Sequence, residues 1–375
     1  MPSINSINVM RSFIFLFITI LLISCASKKN SEKPTIINDS NFKSIYPFAL
    51  RGELQNVFNI LDTINEKKIS PRELKIKERY YTRFINQNEI FNYKTSDENI
   101  IEFVDMFHSY WKKNMIHGQT IEKADSLFTE LMANYLIVNK YIPENVSFDL
   151  VENNLYKYSN DFLKGKGYFS NAFGKTGHLY DLFLWKKEEI ENYSIELIEE
   201  SVNVKVHLMD DFISTGWSHY TTFGRSYASG WANREALFCV VSAYDIESEN
   251  FKISYLTHEG QHFSDYKKYP KLIQKDLEYR AKLVELAKSE TTTIQIINKF
   301  ITNASNQPEN AHAFANYCVI RDLSKLLFNK NYVNKKNDWM SIDSQLIKDK
   351  SKILFNNNTE KLDSIGNKLV IDFIK

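Results

Sequence analysis

The stretch Ile253-Ser254-Tyr255-Leu256-Thr257-His258-Glu259-Gly260-Gln261-His262-Phe263-Ser264-Asp265-Tyr266 decides how the rest of the chain is read. Ile253, Leu256 and Phe263 share one helical face with His258 and His262 beside them, so the spacing predicts a helix over 253–266. Two histidines four apart stand one turn above each other and can ligate a single Zn²⁺ together. The glutamate between them, Glu259, then faces the metal's water and can take its proton as general base. Gly260 costs this helix roughly 1 kcal/mol against alanine. Its place beside the histidines predicts that another backbone, or a substrate, passes close to the helix there.

Zinc in a catalytic site takes three protein ligands and keeps one position open. Metzincins place the third ligand six residues after the second histidine, but here that residue is Lys268, which cannot ligate. A second helix supplies the alternative. Pro270 and Lys271 provide a turn, and Lys275 to Leu283 reads as a helix sent back against the first. Glu278 lies near its start, 16 residues after His262, and Glu285 lies seven residues further on the same face. The candidate metal ligands are therefore His258, His262 and Glu278, with Glu285 as the other candidate for the third place.

With HExxH on one helix and a glutamate on the next, residues 250–290 resemble the gluzincin group of zinc metallopeptidases. The resemblance implies His258, His262 and Glu278 as ligands of Zn²⁺, Glu259 as general base, and a peptide or protein as substrate. The chain departs from that group where Lys282 stands four residues after Glu278 in place of an acid. Orientation of the imidazoles is then expected from Asp265, one turn beyond His262.

Amide hydrolysis also calls for a donor to the oxyanion. His312 is the first candidate, near the start of a helix that Pro308 is expected to open. Tyr317, Tyr227 and Tyr220 are phenolic alternatives, and Arg225 and Arg234 are candidates for a substrate carboxylate. The strand expected over Leu237 to Tyr244 is the candidate edge for pairing with extended substrate.

Outward from this site, residues 42–158 are helical in pattern. Leu54, Val57, Phe58 and Leu61 recur at helical spacing, Ser70-Pro71-Arg72-Glu73 opens a helix, and further stretches cover 100–114, 120–139 and 147–153. They suggest a bundle or array of helix pairs, without a consensus repeat. Phe107, His108 and Trp111 read as core and rim. Between 165 and 245 glycines accumulate, and strands are expected over 178–185, 193–198, 202–212 and 237–244. Val202 to Met209 alternates, which predicts one buried and one wet face. Helices return after Asp245, with breaks near Pro270, 303–308 and 329–337.

The expected fold class is α+β and mostly helical: a helical domain over 42–160, then a zincin-like catalytic domain with a small mixed sheet over 161–375. Ahead of these, Arg11 precedes an apolar run, Phe13 to Ile23, that reads as an export signal over 1–24. Leu22-Ile23-Ser24-Cys25 resembles the lipobox of bacterial lipoproteins, which implies cleavage before Cys25 and lipidation of that cysteine. Ala26 gives no inner-membrane retention signal, so the expected anchor is in the cell envelope at the outer membrane, on either its periplasmic or its outer side, and the polar residues over 25–41 read as a tether.

The chain has 47 basic and 46 acidic residues, and the leader carries one basic residue, Arg11, and no acid. The mature chain is thus neutral and offers no field to attract nucleic acid. Cys239 and Cys318 sit in apolar surroundings and read as buried thiols rather than a disulfide. Set against the hydrolase is a non-catalytic, lipid-anchored binding or scaffold protein in which HExxH is accidental or structural.

Overall fold

The computed structural model describes residues 42–86, 88–117, 120–366 and 374. The leader, the tether and Cys25 lie outside the described residues. Seven helices come first: α1 (Ile45–Ala49), α2 (Leu54–Thr63), α3 (Pro71–Tyr80), α4 (Glu98–His117), α5 (Ile121–Val138), α6 (Phe148–Glu152) and α7 (Leu155–Gly165). Strands β1 (Phe169–Ser170), β2 (Gly174–Thr176), β3 (Leu179–Asp181), β4 (Phe183–Glu196) and β5 (Ser201–Thr215) follow. Then come α8 (Trp217–Thr221), β6 (Gly230–Ala232) and β7 (Ala236–Val240). The final run is α9 (Glu249–Phe251), α10 (His258–Lys268), α11 (Gln274–Lys288), α12 (Thr293–Thr302), α13 (Ala311–Phe328), α14 (Lys336–Met340) and α15 (Ser344–Ile365). The fold is α+β and mostly helical, with a small mixed sheet.

Local chemistry sets several of these boundaries. Ser70 and Glu73 cap α3 reciprocally: the Glu73 N–H donates to Ser70 Oγ, the Ser70 N–H donates to Glu73 Oε2 at 2.8 Å, and Pro71 occupies the first turn. Helix α13 begins at Ala311 rather than at Pro308. Asn310 is its cap, accepting from the Ala313 N–H at 3.1 Å, and Pro308 falls in the turn before. Glu249 accepts from the N–H groups of Glu290, Thr291 and Thr292, so the first turn of α9 also holds the start of α12.

Five strands form the main sheet in the order β1-β4-β5-β7-β6, with β4 and β5 a long antiparallel hairpin. The expected strands over 178–185 and 193–198 are in fact the short β3 and the two ends of one unbroken β4. β7 runs parallel to β5 on one side and antiparallel to β6 on the other. The strand expected at the sheet edge over 237–244 is therefore internal, and β6 takes the edge. The reason is tertiary: three residues at Gly230–Ala232 are too few to show a period in sequence.

Val204, Val206 and Leu208 of β5 face the later helices, as their alternation predicts, while Met209 and Phe212 turn to a smaller cluster with Phe183, Trp185 and Trp231. The core of the first half gathers Phe103, Phe107, Trp111, Phe128 and Leu163. It recruits Leu182, Leu184, Trp217 and Tyr220 from beyond the composition change near residue 160. Phe107 and Trp111 are core, and His108 lies at its rim, stacked on Tyr220 with ring centroids 4.3 Å apart. Cys239 and Cys318 are buried and form no disulfide.

Candidate metal centre

The histidine helix continues from α9 through a π-helical turn, Lys252–Thr257, into α10. The Thr257 hydroxyl donates to the Lys252 carbonyl, five residues back, at 2.9 Å. Such a widened turn inside a helix often marks a functional site, and sequence periodicity does not disclose it. His258, Glu259 and His262 are each 0% exposed. Gly260 makes room for a side chain, not for a backbone or substrate: a Cβ there would lie 3.1 Å from both Cδ1 and Cγ2 of Ile195 in β4. Gly230 allows the tightest approach, since a Cβ on it would sit 2.4 Å from the Tyr255 ring. Helix α10 is thereby pressed onto the sheet.

Opposite α10 runs α11, whose residues from Lys275 to Leu286 are all buried. It is a polar helix in an interior position, so its charges must find partners. Arg280 donates to Asp265 at 2.9 Å, to Asn358 at 2.9 Å and to Thr359 at 3.0 Å, joining α10, α11 and α15. Asp265 also accepts from Gln261 at 2.8 Å. It is thus occupied by a structural network rather than bonded to His262, contrary to the expectation from spacing. His262 Nδ1 has no hydrogen-bond partner.

Three donor groups converge between the two helices. His258 Nε2 and His262 Nε2 are 3.2 Å apart. Glu278 Oε2 is 3.5 Å from His258 Nε2, and Glu278 Oε1 is 3.4 Å from His262 Nε2. Bonds of about 2.0–2.1 Å arranged tetrahedrally put neighbouring donors about 3.3 Å apart, so this triangle has the edges a zinc-sized ion requires. Both oxygens of Glu259 are buried without a hydrogen bond, whereas those of Glu278 face three imidazoles and the Lys282 ammonium. Orphaned acceptors like those of Glu259 suit a cation. A Glu259 oxygen also lies within 4.8 Å of a ring nitrogen of each histidine, and the buried His258–Glu259–His262 group could hold a metal ion.

Glu285 stands on the other side of His258, its Oε2 3.3 Å from Nδ1, and accepts from the Ser254 hydroxyl. The two glutamates of α11 thus have different places: Glu278 at the shared face of both imidazoles, Glu285 behind one of them. His312, at the start of α13, brings Nδ1 to 2.8 Å from Glu278 Oε2, and its own Nε2 is buried without a partner. With the Nδ1 proton toward Glu278, the neutral ring presents Nε2 as an acceptor, and only the doubly protonated ring donates there. The His312 side chain is 26% exposed, against 0% for Glu278, so it forms the solvent side of the cluster.

The local field follows from burial and these contacts. Burial pushes the Glu259 carboxyl up to about 8, with His258 opposing and Glu278 adding to the rise. Burial alone would lower His258, but Glu278 and Glu285 hold it up at about 9. Glu278 is pulled well below the carboxylate range because His312, His258 and His262 outweigh its burial. Lys282 adds an ammonium 3.6 Å from Glu278 Oε2.

The remaining candidates lie elsewhere. Tyr220 belongs to the first core, Tyr317 stacks on Tyr332 at 4.9 Å, and Tyr227 packs against the smaller cluster behind the sheet. Arg225 sits over the Tyr46 ring at 3.7 Å, and Arg234 is exposed in the turn between β6 and β7. Ser254 is the neighbour that sequence reasoning missed. Ser254 had a signal, since 254, 258 and 262 repeat every four residues. No protein-family model, curated protein or solved structure matches this chain.

Proposed function

We propose that the chain is a zinc-dependent hydrolase of gluzincin type that cleaves peptide bonds. The observation that carries this reading is the triangle of His258, His262 and Glu278 donors at 3.2–3.5 Å, with Glu259 beside it. These three residues would hold the ion, which supplies Lewis acidity to a scissile carbonyl and to the attacking water. Glu259 takes the proton from that water and passes it to the leaving amine, its carboxylate standing beside both imidazoles. His312, whose buried Nε2 has no partner, is the residue placed to serve the developing oxyanion, while its Nδ1 steadies Glu278. With the leader cut before Cys25 and that cysteine lipidated, the enzyme would work tethered to the envelope. Among the described residues no helix is long and apolar enough to cross a membrane.

A second reading, a non-catalytic scaffold, draws on Lys282, whose ammonium gives Glu278 a cation partner from its own helix. Glu259→Gln separates the two. The hydrolase reading expects this variant to keep its zinc and fold while hydrolysis of a mixed peptide library falls about 10²–10⁴-fold. Equal rates in both proteins, or no hydrolysis by the native chain, would favour the scaffold.

A further inference from the structure

Ser254, His258 and His262 form a stripe on the histidine helix at intervals of four. Glu278 and Glu285 form a stripe on α11 at an interval of seven, two helical turns. The stripes meet in antiparallel order: His262 with Glu278, His258 with both glutamates, Ser254 with Glu285. Resting on the metal-site reading above, we propose that Glu285 is the positioning residue of the centre, fixing His258 for ligation. Ser254 in turn holds Glu285.

The physical grounds are geometric. A ligating imidazole offers one nitrogen to the ion, and the hydrogen bond made by the other nitrogen sets its tautomer and ring angle. Glu285 Oε2, 3.3 Å from Nδ1, accepts that proton and leaves Nε2 to face His262 and Glu278. The opposite oxygen of Glu285 is taken by the Ser254 hydroxyl, which enters from the π-helical turn. Ser254 and Glu285 are both buried, so this pair is shielded from bulk water. Asp265 is not available for this task because Arg280 and Gln261 hold it. His262 has no equivalent partner at Nδ1, so the protein orients one imidazole through a carboxylate and the other by packing.

The test is zinc affinity, measured by competition with a chromophoric chelator, together with the visible spectrum of the Co²⁺-loaded protein. Native chain, Glu285→Gln, Glu285→Ala, Ser254→Ala and His258→Ala are compared. We expect affinity to fall about 10–100-fold in Glu285→Ala. Glu285→Gln, whose amide oxygen still accepts from Nδ1, should fall between it and the native chain. The Co²⁺ bands should shift in the same order, a readout that loss of packing alone would not grade. Ser254→Ala, which removes one hydroxyl, should weaken zinc by a few-fold and serves if the Glu285 variants do not fold. Native affinity and an unchanged Co²⁺ spectrum in Glu285→Ala and Ser254→Ala, with loss of binding only in His258→Ala, would overturn the positioning role and leave the metal site standing. No zinc or cobalt binding by the native chain would overturn both.

Discussion

Helices α4 and α11 are both packed deep in the molecule, but they bury opposite chemistry. α4 turns Phe103, Phe107, Tyr110 and Trp111 inward and keeps Glu102, Asp105 and Ser109 toward solvent. α11 has no solvent face over twelve residues, and it buries Asp276, Glu278, Arg280, Lys282 and Glu285 among its neighbours. Apolar burial stabilises at about 1.5–3 kcal/mol per large side chain. Buried charge does so only when paired, and a polar or apolar replacement of similar shape often serves stability as well. The contrast teaches that the first half is built around its apolar core, while the second half has a comparable core and in addition buries one helix whose charges hold carboxylates and imidazoles in one place.

Removing a side chain from each half should break the contrast if it is wrong. Trp111→Ala deletes a ring that is 0% exposed and a 2.8 Å hydrogen bond from Nε1 to the Tyr180 carbonyl. It should cost about 3–5 kcal/mol in urea denaturation with zinc content per folded chain unchanged. A variant of native stability that loses its metal would reverse the assignment of roles. Arg280→Met comes next. It strands Asp265 with only Gln261 as partner and should cost about 3 kcal/mol. A loss within experimental error would show that this buried charge contributes nothing to stability.

The smallest effect sharpens the picture at the surface. Burial would raise Glu249, but the hydroxyls and N–H groups of Thr291 and Thr292 and the Glu290 N–H hold it down at about 2. A folded value below the unfolded one gives stability that is complete above about pH 4.5 and lost as pH falls toward 2. Because the group is largely solvated, its share is about 1 kcal/mol after screening. Glu249→Gln should lower stability at neutral pH by that amount and flatten its acid-side slope, followed by thermal melts between pH 2 and 6. An unchanged slope would assign the acid sensitivity to other carboxylates.

Sequence alone exposed the parts of the site that local rules govern. The i, i+4 histidines, the glutamate on the returning helix and the Ser70 cap follow from helical geometry, the turn at Pro270 from proline's fixed φ, and the alternation in β5 from the pleat of a strand. What it did not show depends on contacts distant in the chain. Gly260 meets Ile195 of β4, Asp265 is claimed by Arg280, and His312 leans on Glu278. The π-helical turn leaves no trace in periodicity, and β6 is too short to announce itself as the edge. That α11 is buried on every side could not be read from a helix this polar, since amphipathic patterning assumes a wet face.

The most direct measurement is a zinc titration of the chelator-stripped protein by calorimetry, run beside His258→Ala/His262→Ala with circular dichroism to show that both are folded. The native chain should take up one ion, and the double variant none. A native chain that binds no zinc, or a folded double variant that binds it with the same stoichiometry and affinity, would contradict a metal centre between α10 and α11.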